Sequence, residues 1–145
     1  MADITIKSPA AGGTVLTTEL NSLANAQWTV PSAAVTTALH LFVDFTFTAG
    51  GSVTPTAGAY IGVYIIPGGP TASYPVANTA TVGPGEGYLA GMIPLIALAG
   101  TAVGHLLNVP APAYDFKVTV GNFSGVALTA TSNTLAYKWH DLTVA

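Results

Sequence analysis

Residues 39–48 constrain the fold of this chain more than any other stretch. The odd positions carry Leu, Leu, Val, Phe and Phe, whereas the even positions are mostly polar. In a β-strand this alternation puts all the odd-numbered side chains on one face, whereas a helix would spread them around every side. The pattern therefore predicts a long strand that covers a core with one face and lies in the centre of its sheet.

Other stretches of alternation predict the partners of this strand. The clearest are residues 60–66, 114–120 and 134–142, and turn residues separate them. Further strands are predicted over residues 3–7, 28–30, 92–98, 105–109 and 126–131. About eight short strands are typical of an all-β sandwich or barrel, and a jelly-roll-like antiparallel β-sandwich is the preferred form. The residues predicted to be buried are Leu41, Val43, Phe45, Val63, Phe116, Val118 and Trp139.

One short helix is predicted near the N-terminus, over residues 17–25. Leu16, Leu20 and Leu23 follow the i, i+4, i+7 spacing, and Thr17 is a suitable N-cap. Two helical turns there would close one end of the sandwich. The length of 145 residues fits one domain, which we expect over residues 14–145, preceded by an N-terminal arm over residues 1–13.

The scarcity of charge limits the possible partners. Only 6% of the residues are charged, against about 25% in a typical soluble domain, and the three basic residues are all Lys. Such a chain cannot neutralise a row of phosphates, which argues against direct nucleic-acid binding. Charge normally keeps monomers apart, so its scarcity predicts a surface that partner proteins cover in a stable assembly.

No membrane segment or export signal is predicted. Residues 88–112 carry no charge and are numerous enough to span a bilayer. However, Pro94, His105, Asn108 and several glycines interrupt them, and no Lys or Arg flanks either end. The N-terminus lacks a basic start followed by an apolar block, so we expect a protein made and used without Sec export.

The candidate catalytic and metal-binding residues form no recognisable motif. His40, His105 and His140 share no ligand spacing, and there is no Cys. A Ser-His-Asp triad built from distant positions stays open, although no Gly-x-Ser-x-Gly motif exists. Paired carboxylates also stay open, and the acids available for them are Asp44, Glu86, Asp115 and Asp141. We therefore expect no enzyme, no cofactor and no metal site.

Aromatic residues leave a sugar-binding alternative. Aromatic side chains can stack on sugar rings, although at strand spacing they more often belong to a core or an interface. The candidates are Trp28, Tyr60, Tyr64, Tyr74, Tyr88 and Trp139.

Two irregular segments are predicted to contact a partner. Residues 1–13 and 71–87 are rich in Gly, Pro and small polar residues and too poor in large apolar groups to hold themselves folded. Extended segments of this kind can add to the strand edge of a neighbouring protein. The candidate contact residues are Ile4, Ile6, Lys7, Tyr74, Pro84, Glu86 and Tyr88.

Three groups of segments resemble a family of small structural proteins of tailed bacteriophages. They are residues 19–25, then residues 63–67 with the Gly-rich loop and Tyr74-Pro75, and finally residues 115–120 continuing to residues 132–135. Together they cover roughly half of the chain in the same order. The resemblance carries over no catalytic residue. It implies a β-sandwich virion component of the kind that decorates or cements capsids.

The composition and the resemblance together predict a structural virion protein. It would decorate a bacteriophage capsid and cement it by bridging neighbouring shell subunits, with the major capsid protein and copies of itself as partners. The resemblance implies a homotrimer on the capsid surface, made in the host cytoplasm. The alternative is a carbohydrate-binding module of a phage fibre or tail.

Overall fold

The computed structural model describes residues 4–6, 10–37, 40–71, 73–74, 83–85, 87–96 and 101–144. This part of the chain is all-β, with ten strands and one short 3₁₀ turn at Thr18–Leu20. The strands are β1 (Ile4–Ile6), β2 (Ala10–Leu16), β3 (Gln27–Trp28), β4 (Phe42–Ser52), β5 (Tyr60–Pro67), β6 (Tyr88–Pro94), β7 (Thr101–Pro110), β8 (Phe116–Phe123), β9 (Thr134–His140) and β10 (Leu142–Val144).

Eight of these strands form two antiparallel sheets arranged as a sandwich. Sheet I has the order β2-β9-β4-β7, and sheet II has the order β3-β8-β5-β6. The pairs are nested, because β5 pairs with β6, β4 with β7, β3 with β8 and β2 with β9. The finer assignment to a jelly roll stays a prediction. Strands β1 and β10 form a separate two-stranded ribbon. The predicted all-β sandwich is confirmed.

The core lies between the inner faces of the two sheets. From sheet I, β4 contributes Val43, Phe45 and Phe47, which are fully buried, while the intervening side chains are only half-buried. From sheet II, β5 contributes Ile61, Val63 and Ile65, and β8 contributes Phe116, Val118 and Val120. Strand β4 lies between β9 and β7, so its predicted central position is confirmed.

One predicted core residue, Leu41, is wrongly assigned. Its side chain is 52% exposed, whereas the other six predicted core residues are buried. The strand begins one residue later, and Leu41 lies in the loop before it. There its backbone N–H donates to Oδ1 of Asp141 at 2.9 Å, and its carbonyl accepts a hydrogen bond from the N–H of Ala111. Leu41 therefore lies at the end of the sheet, where its side chain is not covered by the core.

The predicted two-turn helix is also wrong. Only the 3₁₀ turn at Thr18–Leu20 forms, and Thr17 makes no side-chain capping bond. Ser22 has a φ of 57°, which ends any helix, and its N–H donates to the carbonyl of Thr129 at 2.9 Å. Leu20 and Leu23 are still buried. The leucine spacing therefore reflects a tight turn that reaches the core, because such a turn places the same side chains inward.

The strand predicted over residues 126–131 requires correction. Strand β8 continues to Phe123, and residues 126–131 form a loop. The buried Asn122 holds this loop, because its Nδ2 donates to the carbonyls of Leu23 and Val126, both at 2.8 Å. Leu128 is buried from the loop, with its N–H donating to Leu23. Its apolar residues therefore reach the core without pairing to a strand.

Two further predicted boundaries also differ from the structure. The strand predicted over residues 92–98 is β6, which begins at Tyr88 and ends at Pro94. The N–H of Leu95 then donates to Ala59, outside the ladder. At the N-terminus, β2 begins at Ala10 and pairs with β9, so residues 10–13 of the predicted arm belong to sheet I.

Candidate partner-binding surface

The outer side of sheet II carries a group of aromatic rings. Alternation along β5 turns Tyr60 and Tyr64 away from the core, because Ile61, Val63 and Ile65 fill the inner face. Cross-strand pairing sets Tyr60 opposite Phe123 of β8, Gly62 opposite Met92 of β6, and Gly121 opposite Trp28 of β3. We call this surface the aromatic face and define it by Trp28, Tyr60, Tyr64, Met92 and Phe123.

Two paired glycines form the floor of the aromatic face. Gly62 and Gly121 are cross-strand partners and both are buried. A side-chain carbon on Gly121 would lie 2.7 Å from Cε2 of Phe123 and 2.8 Å from Nε1 of Trp28. A carbon on Gly62 would lie 3.0 Å from Cε2 of Tyr64. The glycines therefore let the rings lie directly against the sheet backbone.

The rings pack against one another in the arrangements that aromatic pairs prefer. Tyr60 and Phe123 are stacked, with centroids 4.9 Å apart, and Trp28 meets Phe123 edge-on at 5.6 Å. The indole Nε1 of Trp28 is buried and has no hydrogen-bond partner among the described residues. The cluster is thus fixed by its own packing.

The aromatic face stays partly open to solvent and has little charge. Its four rings are half-buried, Met92 is 54% exposed, and Leu89 beside it on β6 is 47% exposed. Within the described strands of sheet II, the charged side chain on this side is Lys117, which pairs across from Ile66 beyond Tyr64. A surface rich in Tyr, Trp and Met and poor in charge has the composition of an interface core.

Between Asp44 and Thr48 of β4 the outer side of sheet I is polar, and its groups bond to the neighbouring β7, whose exposed Val103 and Leu107 are apolar. We call it the threonine face and define it by Thr14, Asp44, Thr46, Thr48 and Lys138. Oδ1 of Asp44 accepts the backbone N–H of Asn108 at 2.7 Å, and Oγ1 of Thr46 lies 3.1 Å from Nδ1 of His105. Antiparallel sheets commonly leave one such face in water. The threonine face is therefore an ordinary solvated surface.

Two of the three histidines lie beside carboxylates. Nδ1 of His40 is 2.8 Å from Oδ2 of Asp141, and the His40 ring stacks on Trp139. Nδ1 of His140 is 3.1 Å from Oδ2 of Asp44, but without the alignment of a hydrogen bond. Among the described residues, no group of three His, Cys, Asp or Glu side chains could hold a metal ion.

Three of the predicted contact residues lie around the last residues of β5. Tyr88 pairs with Ile65, the carbonyl of Pro84 accepts the N–H of Gly87 at 2.9 Å, and the ring of Tyr74 lies 4.6 Å from Nζ of Lys117. Partial burial raises the pKa of Tyr88 above its ordinary value. Burial and, secondarily, the carboxylate of Asp115 raise the pKa of Tyr74. Both hydroxyls therefore stay neutral, and able to donate a hydrogen bond, to a higher pH than in an unfolded chain.

The predicted contact residues of the arm lie at the same end of the sandwich as the last residues of β5. Ile4 and Ile6 belong to the ribbon in which β1 pairs with β10, and β10 directly follows β9. Near the end of β9, Trp139 meets Phe116 edge-on at 6.0 Å, and Phe116 pairs with Pro67 at the end of β5. The structure thus brings the ribbon and the Tyr74 region to one end. Lys7 and Glu86 lie outside the described residues.

The sequence reasoning missed Phe123 and Met92 and the role of the two glycines. A signal for them is present, because Tyr60-x-Gly62-x-Tyr64 and Gly121-x-Phe123 put glycine and aromatic residues on the same face of a strand. Glycine inside a strand often marks a close approach of another group. Only the pairing of β5 with β8 shows that the two patterns meet.

No family model, curated protein or solved structure matches this chain. Within the part of the chain that the structure describes, no helix is long and apolar enough to cross a membrane.

Proposed function

We propose that this protein is a non-enzymatic structural component of a bacteriophage virion that decorates the capsid and cements it by bridging neighbouring shell subunits. The observation that carries the proposal is the aromatic face. Four half-buried rings and an exposed methionine form this surface, and within the described strands of sheet II the charged side chain beside them is Lys117. Such a surface is stabilised when a partner protein covers it, because burying apolar area contributes about 25 cal/mol per Å².

The bacteriophage assignment rests on the resemblance of the sequence to small virion proteins. In this proposal the major capsid protein covers the aromatic face at the outer surface of the shell, after the protein is made in the host cytoplasm. Many copies on one particle multiply weak individual contacts. The resemblance further implies three copies about a local threefold axis, and light scattering measures that number.

The ribbon end supplies a second contact in the same proposal. Strand β1 pairs only with β10 among the described strands, so its other edge can accept a strand of a neighbour. A protein that contacts one shell subunit through the aromatic face and another through the ribbon would bridge the two. Deleting residues 1–9 should leave the sandwich folded, because β2 begins at Ala10, and should weaken binding to the shell.

The test is a binding titration on shells that lack the protein. Purified particles assembled without it are mixed with the wild-type chain or a variant, and bound protein is measured after sedimentation. We expect Tyr60→Ser, which alters the aromatic face, to weaken binding by at least about tenfold, or about 1.4 kcal/mol. Thr48→Ala on the threonine face is the matched control and should bind like the wild type. Equal binding by Tyr60→Ser would remove the aromatic face from the contact.

Copy number on the native particle tests the decoration role separately. A decoration protein should be present at a number comparable to that of the shell protein, which quantitative mass spectrometry of virions measures. A number in the tens, or no protein on the particle, contradicts cementing of the shell.

One observation favours the second candidate, a carbohydrate-binding module of a phage fibre or tail. Trp28, Tyr60 and Tyr64 were each candidates for stacking on sugar rings, and all three lie on the aromatic face. Neither tyrosyl hydroxyl makes a hydrogen bond to a described residue. Titration with a panel of host-surface oligosaccharides, followed by Trp fluorescence, tests this candidate. Saturable binding that Tyr60→Ser abolishes, with a copy number in the tens, would favour it over capsid decoration.

A further inference from the structure

Two adjoining hollows open at the end of the sandwich where β5 ends and β8 begins. One has a volume of about 310 Å³ and lies against the loop before β4, and the other has about 240 Å³ and lies against the residues after β5. The segment between β7 and β8 lines both of them, and so does Thr37. We call the two hollows together the end cleft and define it by Thr37, His40, Leu41, Pro112, Tyr114 and Asp115.

The imidazole of His40 lines the larger hollow in a fixed orientation. Its Nδ1 lies 2.8 Å from Oδ2 of Asp141, and its ring stacks on Trp139 with the centroids 5.1 Å apart. Oδ1 of Asp141 accepts the N–H of Leu41, which holds the carboxylate in place. In the neutral ring the Nδ1 proton is donated to Asp141, so Nε2 is a hydrogen-bond acceptor. Nε2 makes no hydrogen bond to a described residue.

Thr37 connects the two hollows and has an unused hydroxyl. Its N–H donates to Oδ1 of Asp115 at 3.3 Å, and its carbonyl accepts the N–H of His40 at 3.0 Å. The residue is only 6% exposed and lines both hollows, yet its hydroxyl has no hydrogen-bond partner in the part of the chain that the structure describes. Buried polar side chains usually have a partner. This hydroxyl is therefore available to a ligand.

The carboxylate of Asp115 gives the end cleft a negative charge. Asp115 is half-buried and forms no ion pair with any described residue. Lys117, two residues along the chain, instead lies with its Nζ over the ring of Tyr74. The groups that face the cleft are thus a carboxylate, an imidazole acceptor and a hydroxyl that can accept. A matching ligand brings hydrogen-bond donors and a positive charge.

The remaining walls of the end cleft are apolar. Leu41 is 52% exposed and Tyr114 is 49% exposed, and Pro112 lies between their segments with an alanine on either side. Long cationic side chains lay their methylene stems along such surfaces while the charged group reaches a polar site. The cleft therefore suits a cation on an alkyl stem better than a bare inorganic ion.

We propose that the end cleft binds an arginine side chain of a partner protein, with its guanidinium group at Asp115, Thr37 and His40. The stem would lie against Leu41 and Pro112. A guanidinium group has five N–H donors in one plane and no acceptor, which matches three acceptors in different directions better than the compact ammonium group of lysine. This chain contains no Arg, so the arginine belongs to a different protein and not to a second copy.

This contact goes beyond the proposed function. It uses residues outside the aromatic face and does not require the partner to be a shell subunit. Failure of the shell titration would leave it standing, and its own failure would leave the aromatic face unaffected.

The first test compares two small probes that differ in charge. N-acetylarginine methylamide is titrated into the full chain, and amide chemical shifts are followed by NMR. The control probe is N-acetylcitrulline methylamide, in which a neutral urea replaces the guanidinium group. We expect saturable shifts at Thr37, Leu41 and Ala113, with a dissociation constant on the order of 1 mM for the arginine probe. The citrulline probe should bind at least about tenfold more weakly.

The second test removes the groups that receive the guanidinium. Asp115→Asn keeps an oxygen that can accept the N–H of Thr37 but removes the charge, so it should weaken binding of the arginine probe at least about tenfold. Thr37→Val keeps the shape of the side chain without the hydroxyl and should weaken binding at least about threefold. Glu19→Gln is the matched control, because it removes one exposed negative charge outside the cleft. It should bind like the wild type.

A third comparison separates a protein side chain from a free small molecule. Agmatine has the same guanidinium group and stem without the peptide groups. We expect it to bind no more tightly than the arginine probe, and binding about tenfold tighter would overturn the assignment to a partner protein.

Two further outcomes would overturn the proposal. One is equal binding of the arginine and citrulline probes by the wild type, a comparison that depends on no variant. The other is equal binding of the arginine probe by Asp115→Asn and Glu19→Gln, after circular dichroism has confirmed that both variants fold.

Discussion

The two outer faces of the sandwich have the same scaffold and opposite chemistry. Each belongs to a four-stranded antiparallel sheet whose inner side is buried in the common core. On the threonine face, Asp44 and Thr46 bond to neighbouring groups of β7. On the aromatic face, rings lie over paired glycines and almost no charge is present. Strand alternation decides which side chains point away from the core. The identity of those side chains then decides whether water or a partner covers them.

A substitution in the core beneath both faces should lower stability more than any substitution on the outer surfaces. Phe45→Ala should lower the free energy of unfolding by about 3–5 kcal/mol, because the fully buried ring leaves a cavity between the sheets. Phe42→Ala is the control, since its half-buried ring stacks on His140 on the outer side of sheet I. Chemical denaturation measures both. Equal losses would mean that the outer side of sheet I is as tightly packed as the core.

Much of this core could be predicted from the sequence. The alternation in residues 39–48 predicted the inner face and central position of β4. It could do so because alternate side chains of a strand lie on one face whichever strands pair with it. It failed at Leu41 because the start of the strand depends on Asp141, a residue a hundred positions away. The helix prediction failed for a similar reason, because the positive φ of Ser22 accompanies a bond to Thr129. Local patterns do not contain these distant contacts.

The candidate surface was less predictable than the core. Trp28, Tyr60 and Tyr64 were recognised as possible stacking residues, but their common face depends on β3 and β5 both pairing with β8. The register of that pairing also sets Gly62 against Gly121. A shift of one residue would have turned one of the glycines inward. The shared end of the ribbon and the Tyr74 region likewise depends on the sandwich topology.

A substitution in the glycine floor of the aromatic face should cause the next largest loss of stability. Gly121→Ala should lower the free energy of unfolding by about 1–3 kcal/mol, because its methyl group would displace the rings of Phe123 and Trp28. The near-ultraviolet circular dichroism of the aromatic residues should change as well. Gly51→Ala in β4 is the control, because its methyl group would meet Thr129 at an ordinary 3.4 Å. An unchanged near-ultraviolet spectrum in Gly121→Ala would show that the rings do not depend on this floor.

The threonine face should respond in stability but not in partner binding. Asp44→Ala should cost about 1 kcal/mol, because the N–H of Asn108 loses its carboxylate acceptor. Asn108 has a φ of 59° at an irregular point in the pairing of β4 and β7, so the lost acceptor loosens that point. Denaturation measures the cost, and the shell titration should be unchanged. Weakened shell binding would instead assign the threonine face to the contact.

The smallest effect concerns Tyr88, which begins β6 and pairs with Ile65. Its hydroxyl has a raised pKa because partial burial disfavours the charged phenolate. A tyrosine in an unfolded chain ionises near pH 10. The folded state therefore retains this proton when the unfolded state has begun to lose it, and stability declines as pH rises above about 10. Below that pH, the contribution is fully present.

Tyr88→Phe removes this proton, so the free energy of unfolding should decline less between about pH 9.5 and 11 than in the wild type. Denaturation at pH 7 supplies the internal control, because the side chain at position 88 is uncharged in both proteins there and differs only by the hydroxyl. Parallel declines above pH 10 would show that the fold does not hold this hydroxyl neutral. In that case the surroundings of Tyr88 at the start of β6 would be as well hydrated as the threonine face.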